Sequence, residues 1–439
     1  MKQFFTSHRA IGLFILQLLF FSTLLYSQSK VETHTFYSDA LGLSKSYRIY
    51  LPDGYNADTS VSYPVVYFLR LHENEWFNPV WRSNGKTLKN VADDLMNNGT
   101  IGKMILVGPS TGGNNSDPNQ TDFGIVNMLR PDLANDQGIG TGAFEDCIIY
   151  DLIPHIDSTF RTIPEWCARG VDGFSLGGYA STLYAIKHPG IFSSAGSYDG
   201  TIMWYNLDYP VTPGPLDDYN WFYQPWTNFI APMFDLPFDT LYMKANSAMN
   251  VLAEADSVTL DSIRAIAFHI HAGVVDATTN REVNEQFIDF LASKGIGNTF
   301  SNLILNPSAV HSYDWADMHA KQSLVKHWET FSSFSCEADT TVTAVRNPGQ
   351  VAQGFELYEN FPNPAQTSTT IEFRLPAPGN VTLCVLDALG KGVQSVSLNA
   401  LPAGVHQIQL DVSGYENGVY YLQLESKSQI GRRKLLVLK

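Results

Sequence analysis

Two stretches of the chain set a serine among glycines at the G-x-S-x-G spacing: Gly173-Phe174-Ser175-Leu176-Gly177-Gly178 and Gly108-Pro109-Ser110-Thr111-Gly112-Gly113. A serine so placed can attack a carbonyl carbon, but only on a strained turn between a strand and a helix. The turn lifts the hydroxyl out of the end of the sheet. The helix start then points free N–H groups at the place where negative charge develops. Ser110 follows an apolar strand, but Pro109 and the run Gly112-Gly113-Asn114-Asn115-Ser116-Asp117-Pro118 forbid the helix. Ser175 has a strand before it and the stripe Leu176, Tyr179, Ala180 and Leu183 after it. Ser175 is the candidate nucleophile.

A serine hydroxyl needs a base, and the base an acid to orient it; on such a sheet the chain order is Ser, Asp or Glu, His. The histidines after Ser175 are His188, His269, His271, His311, His319, His327 and His406. His188 closes the helix after the turn, His269 and His271 fall in a strand, and His319 and His327 fall in a helix. His406 belongs to a different region. His311, in a loop after the last strand, is the candidate base. Asp276 lies just beyond the strand Ile266–Ala272, where sites on parallel sheets form, and is the candidate acid ahead of Asp256, Asp261 and Asp314. His269-x-His271 with Asp276 would also suit a metal, a reading ranked below the serine chemistry; no metal or organic cofactor is expected.

The elements that must position these residues are legible as alternation. Tyr47–Leu51, Pro64–Leu69, Met104–Val107, Ala168–Gly173, Phe192–Ser197, Ile266–Ala272 and Phe300–Leu305 read as strands. Phe144–Phe160 reads as a helix kinked at Pro154, followed by helices over Leu176–His188, Glu282–Leu291 and Met318–Phe334. Strands alternating with helices predict an α/β fold with a mostly parallel sheet covered on both faces. After Cys336 the texture changes: 337–356 reads as a linker, and six short strands separated by turn signals then predict a small all-β sandwich over 357–439.

Composition narrows the class. A hydrophobic fraction of 44% with 16% charged residues describes a globular chain, and a net charge of -15 argues against nucleic acid and anionic membrane as partners. Lys2 and Arg9 precede an apolar run from Ile11 to Tyr26 and then polar Ser27, the order of a signal peptide over 1–27. The competing reading, a membrane anchor, lacks a basic cluster after the run, so no stable membrane span is expected. Of the four cysteines, Cys147 and Cys167 are the close pair, and they are expected at opposite ends of a layer as free buried thiols.

With these residues in view, 31–334 resembles the α/β-hydrolase esterase family that takes in esterase D (S-formylglutathione hydrolase), feruloyl and acetylxylan esterases, and the mycolyltransferases. The resemblance is carried by Ser46–Tyr55, Tyr63–Leu69, Phe144–Ile156, the segment around Ser175, Lys187–Phe192 and Val310–Trp315. It implies an α/β-hydrolase fold over 28–336, with nucleophile, acid and base at Ser175, Asp276 and His311. It also implies an oxyanion hole from the Leu176 N–H and a second amide in the Arg70-Leu71-His72 loop, that of His72 or Leu71. That loop departs from the family's His-Gly or Asp-Gly, and Asp172 stands where a small apolar residue is usual. An aromatic-rich insertion over about 200–243 holds Trp204, Trp221 and Trp226. It reads either as a platform for a sugar or phenolic acyl group, or as a lid packing on itself.

The last residues resemble the type IX secretion sorting domain, on Leu357–Ala365, the V-L-D-A-L-G-K and S-G-Y-E-N-G-V-Y-Y segments and the terminal R-R-K-L-L-V-L-K; a carbohydrate-binding sandwich is the competing reading. The resemblance implies export across both membranes and the type IX machinery as partner. The combined expectation is a secreted or cell-surface serine esterase acting through an acyl-enzyme, on an ester substrate that is either free or carbohydrate-linked. The alternatives are an acyltransferase with the same triad and an inactive binding protein on a hydrolase scaffold.

Overall fold

The computed structural model describes residues 28–114, 122–200, 227–273, 280–297, 308–334 and most of 356–439. The chain divides into two compact units, Met1–Asp339 and Thr340–Lys439.

The first unit is built on seven strands: β1 (Lys30–Ser38), β2 (Leu43–Leu51), β3 (Val65–Leu69), β4 (Ile105–Pro109), β5 (Arg169–Gly173), β6 (Ser194–Tyr198) and β7 (Ala267–His271), in the order β1-β2-β4-β3-β5-β6-β7. β1 and β2 form an antiparallel hairpin, β2 is antiparallel to β4, and the rest pair in parallel. Every residue of β3 is buried, as a strand covered on both faces requires. Its alternation divides the core. Val65, Tyr67 and Leu69 join Ile148, Leu152 and Leu183 on one face, while Val66 and Phe68 join Leu88, Leu106 and Leu324 on the other. Four helices matter below: α1 (Leu88–Asn97), α2 (Leu176–Lys187), α3 (Asn280–Ser293) and α4 (Tyr313–Ser333).

The segment expected as one kinked helix runs as α over Phe144–Asp146, π over Cys147–Leu152 and α over Ile153–Thr159. The wider π turn lies just ahead of Pro154, whose ring nitrogen cannot donate to a preceding turn. The β1 strand and α1 were not expected from the sequence. The last helix begins at Tyr313, five residues before its expected start. The expected strand Phe300–Leu305 lies outside the described residues.

Cys147 is a free thiol, and burial pushes it up to about 12. Cys167, expected to be free, is disulfide-bonded. The sequence reading weighed only its nearest cysteine as a mate, and the actual partner falls outside the described residues. Among the described residues no helix is long and apolar enough to cross a membrane.

The second unit carries β8 (Glu356–Leu357), β9 (Ser368–Leu375), β10 (Gly379–Asp387), β11 (Gly392–Leu401), β12 (Gly404–Asp411), β13 (Gly418–Ser426) and β14 (Gln429–Val437). A four-stranded sheet β11-β10-β13-β14 and a three-stranded sheet β12-β9-β8 are antiparallel throughout. Ile371 and Phe373 of the smaller sheet share one apolar cluster with Leu383, Leu422 and Leu435 of the larger. It is a two-sheet sandwich, as the strand spacing predicts.

Candidate active site

Ser175 stands between β5 and α2 with φ 57° and ψ -119°. Its N–H donates to Tyr198 O at 2.9 Å, and its carbonyl accepts from Tyr179 N–H at 3.0 Å. The turn is held so tightly that two glycines are obligatory. A Cβ on Gly173 would strike the Gly177 carbonyl, and one on Gly177 would strike the Leu69 carbonyl of β3. Leu176 opens the helix, so its N–H has no intrahelical acceptor and is free for an oxyanion. Ser110 lies in a non-helical loop after β4, its N–H bonded to Ser46 O at 3.1 Å. The turn chemistry separates the two serines.

His311 stands two residues before α4. Its ring lies 4.6 Å, centroid to centroid, from that of Phe174, the neighbour of Ser175. The preceding carbonyl, Val310 O, accepts from the Tyr198 hydroxyl at 2.8 Å. Among the described residues no hydrogen bond joins His311 to Ser175; such bonds often form only when substrate closes the site. The bond His311 does make is to Asp199: Nδ1 lies 3.3 Å from Asp199 Oδ2. Asp199 follows β6, is fully buried, and has φ 44°. Its other oxygen accepts the Gly273 N–H at 2.5 Å, and its own N–H donates to His271 O at 2.8 Å. Sequence reasoning passed over this residue. The available signal was Ser197-Tyr198-Asp199-Gly200, an acid at the carboxyl end of a parallel strand. Asp276, Trp204, Trp221 and Trp226 lie outside the described residues.

The Arg70-Leu71-His72 loop is organised by a buried acid. Leu71 N–H and His72 N–H both donate to Glu75 Oε2, at 2.7 and 2.9 Å. Glu75 Oε1 accepts the Tyr313 hydroxyl at 2.5 Å and lies 3.6 Å from Arg70 Nε. The Arg70 guanidinium in turn sits 5.0 Å from the centre of the Phe174 ring. The amides of Leu71 and His72, between which the second oxyanion donor is expected, thus both donate to this carboxylate.

Asp172, the acid before the turn, finds polar partners on the face covered by α4. His319 Nε2 lies 2.9 Å from Oδ1 and His327 Nε2 3.2 Å from Oδ2. Burial alone would raise Asp172; His319 and His327 outweigh it and hold the carboxyl well below its usual range. His271 Nδ1 meets His319 Nδ1 at 2.6 Å, and His269 Nε2 meets Ser194 Oγ at 2.8 Å. His269 and His271 thus do share a face, and it is packed with imidazoles and one carboxylate. Among the described residues no cluster has metal-holding geometry.

The described end of the aromatic insertion packs inward. Phe234 and Phe238 are core residues beside Ile230 and Met233, and Leu129 N–H donates to Met233 O at 3.2 Å. For these two rings the self-packing reading holds.

Residues 38–265 match the family model described as "Putative esterase", and 359–438 match the "Secretion system C-terminal sorting domain". The chain is 42% identical over 62 residues to an esterase of Mycobacterium tuberculosis, 14% of each protein. It is 28% identical over 178 residues to the endo-1,4-beta-xylanase/feruloyl esterase of Xylanibacter ruminicola, 40% of this chain and 22% of that protein. The matches therefore span under a quarter of these curated relatives. A solved ferulic acid esterase superposes with a TM-score of 0.52 at 20% identity, covering 69% of this chain and 99% of the other, a likeness of fold. The sorting domain marks the chain for export to the cell surface or beyond.

Proposed function

We propose, since the chain belongs to the esterase family whose model spans 38–265, that it is an exported carboxylic ester hydrolase. Ser175 is the nucleophile, His311 the general base and the Leu176 N–H one oxyanion donor. The observation that carries this reading is the left-handed Ser175 at the end of β5, with the His311 ring packed on its neighbour Phe174. His311 takes the serine proton as the Ser175 Oγ–carbon bond forms, and the alcohol leaves with that proton. Water then repeats the two steps to release the acid.

Feruloyl or other acyl esters on carbohydrate are the proposed substrates, supported by the names of the Xylanibacter relative and the ferulic acid esterase. Trp204, Trp221 and Trp226 are proposed to bind them, and the type IX machinery to carry the chain outward. The test is hydrolysis of p-nitrophenyl acetate and methyl ferulate by the chain and by Ser175→Ala. Loss of about 10³-fold or more in kcat is expected.

One observation favours a second reading, a binding protein on a hydrolase scaffold: Glu75 occupies both loop amides. A folded chain that hydrolyses neither ester, and whose Ser175 takes no fluorophosphonate label, would establish that reading instead.

A further inference from the structure

Asp199 and Ser175 share a peculiarity of backbone. Both are non-glycine residues with φ in the left-handed region, 44° and 57°, and both stand directly beyond the carboxyl ends of neighbouring parallel strands. Such backbone strain persists only where the surroundings demand it. At Asp199 the surroundings are specific. The carboxylate is fully buried, one oxygen takes the Gly273 N–H and the other faces His311 Nδ1. A buried carboxylate with no partner would be expensive. Here its two partners are an amide at the end of β7 and the imidazole of the candidate base.

We propose that Asp199, rather than Asp276, is the acid that positions His311, an inference that rests on the esterase reading above. The chain order Ser175, Asp199, His311 is the order this kind of sheet requires. Asp199 fixes His311 as the tautomer with its proton on Nδ1, which leaves Nε2 to receive the proton from Ser175 Oγ. When the Oγ–carbon bond forms and the proton moves to Nε2, the resulting imidazolium is stabilised by the adjacent carboxylate. Asp199 stays ionised, and the proton leaves with the alcohol. Asp199 thus acts through His311 as a positioning residue.

The experiment compares Asp199→Asn and Asp276→Asn with the parent and with Ser175→Ala, using methyl ferulate and a fluorophosphonate label. Asparagine tolerates left-handed backbone better than most residues, so Asp199→Asn is expected to fold with the parent's melting midpoint. Its kcat is expected to fall by about 10³–10⁴-fold with KM changed less than about threefold. Its labelling rate should fall in parallel, while Asp276→Asn stays within about tenfold of the parent.

A second variant, Asp199→Gly, suits the same backbone at no steric cost, and added formate should restore part of its kcat in a saturable way. Full activity in Asp199→Gly without formate would overturn the proposal. So would collapse of Asp276→Asn with Asp199→Asn near the parent, and in that case loss of activity in Ser175→Ala would leave the esterase reading intact. A parent that is inert and unlabelled overturns both.

Discussion

Asp172 stands where the family has a small apolar residue, and the structure gives it a structural task. Two imidazoles, His319 and His327, are held at its oxygens in a fully buried layer between β5 and α4. His269 and His271 extend that layer along β7. Burial, reinforced by neighbouring imidazoles, holds both well below an imidazole's usual value. Because these folded values are depressed, the unfolded chain takes up protons first as pH falls through about 6.5. The contribution to stability is therefore present above that pH and lost below it, at up to about 1.4 kcal/mol per pH unit for each of the two. Asp172 has the same sign lower down, stabilising above about pH 4 and ceasing to do so as pH falls further.

All eight tryptophans precede residue 329, so fluorescence-detected urea unfolding at pH 7.5, 6.5 and 5.5 reads the first unit. A free energy unchanged down to pH 5.5 would contradict the buried neutral histidines. Only the shared face of His269 and His271 was legible in the sequence. Each histidine taken alone reads as a core residue of a strand or helix, and only the packing of α4 on the sheet brings His319 and His327 to one carboxylate.

At the scale of elements, the strand-turn-helix around Ser175 was readable because its requirements are local: a buried strand, glycines where backbones touch, and an apolar helical stripe. The structure adds that Gly177 faces the Leu69 carbonyl of β3, a contact between segments a hundred residues apart. Gly177→Ala is expected to lower stability by about 1–3 kcal/mol or more, since a backbone carbonyl cannot move aside as a side chain can. An unchanged unfolding midpoint would show that the turn is not pinned there. The Arg70-Leu71-His72 loop is the opposite case. Its shape comes from Glu75 and from Tyr313, more than two hundred residues away, so the missing glycine said little about which amides are free. Likewise the helix carrying Tyr313 begins earlier than its apolar periodicity suggested, because polar Tyr313, Asp314 and Asp317 occupy its first turns.

At the scale of the molecule, the alternation of strands and helices followed by closely spaced short strands correctly announced a parallel sheet and then a sandwich. What it could not announce was the β1 hairpin partner, whose mixed burial gives little apolar contrast, or the bonded state of Cys167, which depends on a distant thiol. Ser175, Asp199 and His311 all belong to the first of the two compact units. A chain ending at residue 339 is therefore expected to keep the parent's kcat/KM on methyl ferulate within about twofold. A loss of tenfold or more in a folded truncated chain would mean that the sandwich contributes to hydrolysis.

The bridge between Phe174 and Tyr198 has a consequence for anyone wishing to retarget the protein. It joins the residues just before Ser175 and Asp199, so the spacing of those two is set by the pitch of hydrogen-bonded strands, about 4.8 Å, and not by any connecting segment. Side chains around the pair can then be exchanged for those of another hydrolase without lengthening or shortening the step between the two. Such an exchange would leave the distance between Ser175 and Asp199 where the sheet sets it.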